Sequence, residues 1–124
     1  MQINYAKWVK FSAFYNLLIG GSIVFLPNFL FSISHYPSPN YMILWQCLGM
    51  TVAVVGFGIY LASKDLSGNK NILLLGILGK LLGPVILGGY GVVIGQLPLI
   101  FLPVIIFDLI WSVFYFLTLK SLNN

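Results

Sequence analysis

Residues 11–63 read FSAFYNLLIGGSIVFLPNFLFSISHYPSPNYMILWQCLGMTVAVVGFGIYLAS and contain no Asp, Glu, Lys or Arg. This run of 53 uncharged residues can cross a bilayer twice, since one helical pass takes about 20 apolar residues. The rest of the chain has the same character, because 60% of its 124 residues are hydrophobic and only 6% are charged. Soluble domains carry about 25% charged residues. The sequence therefore predicts a protein that lies almost entirely within a membrane.

Four apolar segments have the length of a membrane-spanning helix. They cover about residues 9–26, 41–62, 72–94 and 99–119. None shows the alternation of polar and apolar residues that is typical of barrel strands. We therefore predict an all-α membrane protein in which residues 1–124 form a single domain, a four-transmembrane-helix antiparallel bundle.

The basic residues predict how this bundle is oriented. Five of the six lie at the termini or between the second and third spans, namely Lys7, Lys10, Lys64, Lys70 and Lys120. The other two connections contain no lysine. Cytoplasmic segments of membrane proteins are enriched in Lys and Arg, so both termini are predicted to be cytoplasmic. Lysines that flank spans also explain the net charge of +4 without any partner nucleic acid.

The connection between the first two spans has helical character of its own. Phe29, Leu30, Ile33 and Tyr36 recur at helical spacing, which predicts a short interfacial helix at the outer membrane surface. His35, the single histidine of the chain, is expected to lie at that interface as well.

Small residues recur four positions apart and predict close helix packing. The pairs are Gly49 with Ala53, Gly79 with Gly83, and Gly91 with Gly95, while Ser12, Asn16 and Gly20 share one face of the first span. Packing within a single bundle explains these patterns, and a homo-oligomer interface is the alternative. Pro84, among several glycines, predicts a kink in the third span.

Residue counts exclude several classes of active site. One cysteine, Cys47, rules out an intrachain disulfide or a four-cysteine metal site, and one histidine rules out a bis-histidine haem. Two acidic residues cannot supply both a paired-carboxylate site and a salt-bridged scaffold. We predict no metal and no cofactor, and Cys47 is expected to be an inert core thiol.

Lys80 and Asp108 are the two charges that fall deep within spans. A charge at the centre of a span costs at least about 2.5–3.5 kcal/mol, so each needs a partner or a function. They lie about 12 Å and about 16 Å from the cytoplasmic side on consecutive spans, and the two side chains can meet. The pair then fixes the register of the last two helices, or forms the polar floor of a cavity for a ligand or a proton. In a third arrangement Lys80 extends to the interface and leaves Asp108 unpaired.

Polar and aromatic residues accompany Asp108 on its helix. Trp111, Ser112 and Tyr115 follow it by three, four and seven residues on the same face, and Asn16 has a comparable depth in the first span. The alternative is that Trp111 and Tyr115 simply pack, or that Tyr115 belongs to an aromatic belt. The candidate ligand-binding residues are Lys80, Asp108, Trp111, Tyr115 and Asn16.

Three stretches carry a resemblance to a known group: FYNLLIGG at residues 14–21, the glycine-patterned segment at 48–60, and residues 76–83. Together they resemble the DoxX-like group of small bacterial four-helix membrane proteins. The segments GKLLGP at 79–84 and DLIW at 108–111 are similar to those of an uncharacterised bacterial four-span family. The resemblance implies an accessory protein of the bacterial cytoplasmic (inner) membrane, with an oxidoreductase as a possible partner, and it implies no catalytic residue.

Three functional classes follow from these observations. The first is an accessory or binding protein that holds a lipid, a quinone-like or other hydrophobic molecule, or a partner subunit, around the Lys80–Asp108 pair. The alternative is a small oligomeric transporter or channel in which Asp108 carries a proton. An integral-membrane enzyme is the least favoured class, because it would need a borrowed cofactor or residues from a partner.

Overall fold

The structure is a computed structural model and describes residues 3–123. Its six α-helices are α1 (Tyr5–Phe25), α2 (Phe29–Ile33), α3 (Met42–Ser63), α4 (Lys70–Lys80), α5 (Gly89–Val93) and α6 (Leu102–Leu122). A π-helical segment, Leu81–Gly88, joins α4 to α5, and 3-10 turns at Ser67–Asn69 and Leu99–Phe101 precede α4 and α6. Residues 3–123 include no β-strand.

Four helical stretches are long and apolar enough to cross a membrane, which confirms the four predicted spans. They are Tyr5–Phe25, Met42–Ser63, Ser67–Val93 and Leu99–Leu122. The first begins four residues before the predicted boundary because Asn4 caps α1, its side-chain oxygen accepting a hydrogen bond of 3.1 Å from the Lys7 N–H. The chain is therefore a multi-pass membrane protein.

The surface of α6 shows how this helix suits a bilayer. Its outward residues are apolar and more than half exposed, namely Ile106, Phe107, Ile110, Val113 and Phe116. Its buried residues all carry a polar group: Asp108, Ser112, Tyr115 and Thr118. Water would disfavour so much exposed apolar surface, whereas lipid accepts it and disfavours exposed polar groups.

The described helices fall into two compact units, divided between Gly68 and Asn69. The α1–α3 unit contains α1, α2 and α3, and the α4–α6 unit contains the remaining helices. The prediction that all four spans form one domain stays a prediction.

Close backbone contact between α1 and α3 holds the first unit together. A Cβ added at Gly20 would lie 2.5 Å from the backbone N of Ala53, and one at Gly56 would lie 2.8 Å from the Cβ of Asn16. Gly20 thus pairs with the middle of α3 and Asn16 with a later turn, so the two helices run antiparallel. The predicted packing of Gly49–Ala53, and of the face shared by Ser12, Asn16 and Gly20, is confirmed.

Two side chains of α3 form hydrogen bonds with backbone carbonyls at the end of α1 and just after it. Trp45 Nε1 donates to the Pro27 carbonyl at 3.1 Å, and Gln46 Nε2 donates to the Val24 carbonyl at 2.9 Å. Phe31 of α2 packs edge-on against the Trp45 ring at 5.5 Å between centroids. A helix in this connection is confirmed, and its place at the outer membrane surface stays a prediction. His35 is exposed and has a left-handed backbone, with φ of 57°.

In the α4–α6 unit, α4 and the π-helical segment pack along α6. Pro84 lies inside the π-helical segment, where the chain departs from α-helical geometry, and the predicted kink itself stays a prediction. Within the α4–α6 unit the predicted close packing at Gly79 and Gly83 is wrong, since a Cβ at either would meet no heavy atom within 4 Å, and the alternative of a homo-oligomer interface there stays a prediction. Four-residue spacing places two glycines on one face, but it does not fix whether a neighbour covers that face. The predicted close packing is also missing at Gly95, which belongs to a turn with φ of 79° and has no heavy atom within 4 Å of an added Cβ.

Candidate functional site

A direct ion pair joins α4 to α6. Lys80 Nζ lies 2.8 Å from Asp108 Oδ1, and each residue is only 5% exposed. The predicted meeting of the two side chains is therefore confirmed. The arrangement in which Lys80 extends to the interface and leaves Asp108 unpaired is wrong, because the carboxylate lies within the reach of the lysine.

The register of the two helices explains why this pair forms. Lys70 Nζ donates to Asn123 Oδ1 at 3.0 Å where α4 begins and α6 ends. From that level, Lys80 is ten residues along and Asp108 fifteen, which places the two backbone positions about 15 Å and about 22 Å into the unit. The flexible four-carbon stem of lysine bridges the remaining offset.

The buried face of α6 continues the polar character of the pair. Ser112 Oγ donates to the Asp108 carbonyl at 2.8 Å, and Thr118 Oγ1 donates to the Phe114 carbonyl at 2.9 Å. Tyr115, between them, is fully buried. Hydroxyls that bond to their own helix need no other partner, which allows them to lie in a low-polarity interior. We call Lys80, Asp108, Ser112 and Tyr115 the polar centre.

The other two predicted site residues have different surroundings. Trp111 is half-buried and packs edge-on against Phe114 at 6.1 Å between centroids. Asn16 belongs to the α1–α3 unit, where it is 5% exposed and packs against Gly56. Asn16 thus packs from α1 against α3, and its participation in a site with Lys80 stays a prediction.

Sequence reasoning missed one buried polar residue and misplaced another side chain. Thr118 lies three residues after Tyr115 on the buried face of α6, a position that helical periodicity could have identified. Cys47 is exposed, so the expectation of a core thiol is wrong. In a membrane protein the outer face of a helix is apolar as well, and a hydrophobic context alone does not indicate burial.

The polar centre can both donate and accept several hydrogen bonds. Within residues 3–123, no three His, Cys, Asp or Glu side chains come close enough to hold a metal ion. The ammonium of Lys80 has three N–H donors, and a carboxylate can accept several hydrogen bonds. Such a pair can exchange part of its mutual contact for contacts to a ligand that carries carbonyl or hydroxyl groups.

Comparison with known proteins finds no matching family model, no similar curated protein and no similar solved structure. The resemblance to the DoxX-like group therefore stays a prediction. A function can be proposed only from the residues of this chain and their contacts.

Proposed function

We propose that this protein is an accessory protein of the bacterial cytoplasmic membrane that binds a lipid or quinone-like molecule at the polar centre of its α4–α6 unit. In this proposal the head group of the ligand forms hydrogen bonds with Lys80 and Asp108. The apolar body of the ligand lies along the exposed hydrophobic faces of the helices, and Trp111 lies beside it.

The observation that carries the proposal is the burial of two opposite charges within the α4–α6 unit. A buried ion pair can often be replaced by apolar residues of similar volume without loss of stability, so its presence is weak evidence for a structural role. Charges inside a membrane are instead typical of binding or transport sites. Both residues of this pair are 5% exposed, and the neighbouring Tyr115 is fully buried.

The orientation of the proposed bundle follows from the lysines. Lys7, Lys10 and Lys64 lie at one end of the α1–α3 unit, and Lys70 and Lys120 lie near one end of the α4–α6 unit. With these ends in the cytoplasm, the four spans form an antiparallel bundle with both termini inside. The resemblance to the DoxX-like group supports the bacterial membrane and an oxidoreductase as the partner that receives or supplies the ligand.

Native mass spectrometry of protein extracted gently from its own membrane tests the proposal. The informative variant is Lys80→Met combined with Asp108→Leu, which removes the polar centre's charges without leaving either one unpaired. Thr118→Val is the matched control, because it removes a buried polar group of α6 that lies about 15 Å along the helix from Asp108.

We expect the wild type and Thr118→Val to retain a bound small molecule that the double variant loses. Retention of the same molecule by the folded double variant would contradict the proposal and make the pair structural. Wild-type protein that carries only a partner protein, with no small molecule, would also contradict it.

A further inference from the structure

A second cluster of charge lies in the α1–α3 unit and includes none of the residues of the polar centre. The start of α1 and the end of α3 border an open cleft of about 370 Å³. It is lined by Asn4, Ala6, Lys7, Lys10, Tyr60, Ser63 and Lys64, which we call the lysine cleft. Its volume lies within the range of small-molecule sites, about 300–1,000 Å³.

The lysine cleft concentrates positive charge around one aromatic ring. Lys64 Nζ lies 4.9 Å from the centre of the Tyr60 ring, and Lys10 Nζ lies 5.9 Å from the same centre. Lys7 precedes Lys10 by about one turn of α1, and its Nζ lies 5.9 Å from the centre of the Phe11 ring. Three lysines thus surround a cleft whose lining contains no acidic residue. The like charges repel one another, and an anion between them would relieve that repulsion.

The two helix ends at the cleft have opposite effects on an anion. α1 begins and α3 ends there, so the partial positive charge of the α1 N-terminus is offset by the partial negative charge of the α3 C-terminus, and the lysines supply the preference for an anion. The acidic residue nearest in sequence, Asp65, does not line the cleft, and its carboxylate accepts a hydrogen bond of 3.2 Å from the Gly68 N–H.

The surroundings of the cleft are those of a membrane interface. Trp8 and Phe11 lie beside Lys7 and Lys10 on α1, and each is 45% exposed. Their rings pack edge-on at 5.6 Å between centroids. Exposed aromatic residues beside lysines at the end of a span are typical of the level where lipid head groups lie. The cytoplasmic leaflet also holds anionic lipids that attract basic residues.

We propose that the lysine cleft binds a phosphate-bearing anion, with Lys7, Lys10 and Lys64 as its charged ligands and the Tyr60 ring holding two of them in place. The phosphate belongs either to the head group of an anionic phospholipid or to a soluble phosphate ester. This site is separate from the polar centre, so its proposal stands or fails independently of the proposed function.

The test measures binding of phosphatidylglycerol and phosphatidylcholine to the purified full chain in detergent by native mass spectrometry. The cleft variant is Lys10→Gln with Lys64→Gln, and the matched control is Lys70→Gln with Lys120→Gln, which removes the same charge outside the cleft. Each lysine that contacts the phosphate directly contributes a charge-assisted hydrogen bond, so the cleft variant should bind phosphatidylglycerol at least about tenfold more weakly.

The proposal predicts that the wild type prefers phosphatidylglycerol and that the control variant keeps this preference within about twofold. Equal loss in the cleft variant and the control would contradict it, because net charge alone would then explain binding. Absence of any preference in the wild type would contradict it as well. Addition of glycerol 3-phosphate separates the two sources: displacement of the lipid identifies a soluble ester as a ligand, and its failure identifies the lipid head group.

A variant that keeps every charge tests the role of the ring. Tyr60→Leu removes the surface on which Lys10 and Lys64 lie, and should weaken phosphatidylglycerol binding about two- to fivefold, whereas Tyr60→Phe should not. Unchanged binding in Tyr60→Leu would contradict the part assigned to Tyr60.

Discussion

Removal of one member of the Lys80–Asp108 pair should destabilise the protein far more than removal of both. In Lys80→Met, the Asp108 carboxylate stays 5% exposed and loses the ammonium that lies 2.8 Å away. An unpaired buried charge of this kind costs about 3–5 kcal/mol of the free energy of unfolding. Asp108→Leu leaves the Lys80 ammonium buried without its partner carboxylate and should lower the free energy of unfolding by a similar amount.

The double variant, Lys80→Met with Asp108→Leu, leaves no charge behind. Replacement of a buried ion pair by apolar residues is often neutral or stabilises by about 1–4 kcal/mol. Independent effects would instead add to about 6–10 kcal/mol of destabilisation. The two expectations for the double variant therefore differ by more than the whole effect of either single substitution.

Unfolding in mixtures of mild detergent and dodecyl sulfate, followed by circular dichroism, can measure the free energy of unfolding of the wild type and the three variants. We expect the double variant to lie close to the wild type and both single variants well below it. A double variant that is as unstable as the sum of the single variants would refute the coupling inferred from the 2.8 Å contact.

Two further predictions concern packing and orientation. Gly56→Leu places a side chain 2.8 Å or closer to α1 and should cost about 1–3 kcal/mol of unfolding free energy. Gly83→Ala, whose Cβ meets no atom within 4 Å, should be neutral or stabilise the protein by up to about 1 kcal/mol in the same detergent assay. Equal costs would contradict the packing of α1 on α3. In a Cys47→Ser background, a cysteine at Asn40 should react with a membrane-impermeant maleimide in intact cells, and one at Ser67 only after permeabilisation. The reverse pattern would overturn the orientation.

The sequence predicts the helices of this protein well because the bilayer fixes their length and composition. The four spans needed only long apolar runs, and the ends of the helices differ from the predicted boundaries by a few residues. The Lys80–Asp108 contact was predictable for a related reason. In a chain with two deep charges of opposite sign on consecutive spans, each charge has one obvious partner.

Packing partners were harder to predict than helices. Gly56 and Gly83 are both small and both lie on apolar helices, yet the first is pressed against α1 and the second has open space beside it. Nothing in the spacing of the glycines separates these cases, since the difference depends on what lies opposite. The lysine cleft was missed for the same reason: Lys10 and Lys64 are 54 positions apart, and the packing of α1 on α3 brings both to Tyr60.

Photo-crosslinking in intact membranes can show directly whether a small molecule lies at the polar centre. A benzophenone side chain at Phe114, half-buried and 6.1 Å from Trp111 between ring centroids, would lie beside the proposed ligand. The same side chain at Phe116, 60% exposed on the outer face of α6, reports the surrounding lipid. We expect a small-molecule adduct at position 114 that is absent at position 116 and absent when Lys80→Met and Asp108→Leu are combined. Identical bulk-lipid adducts at both positions would contradict a ligand site at the polar centre.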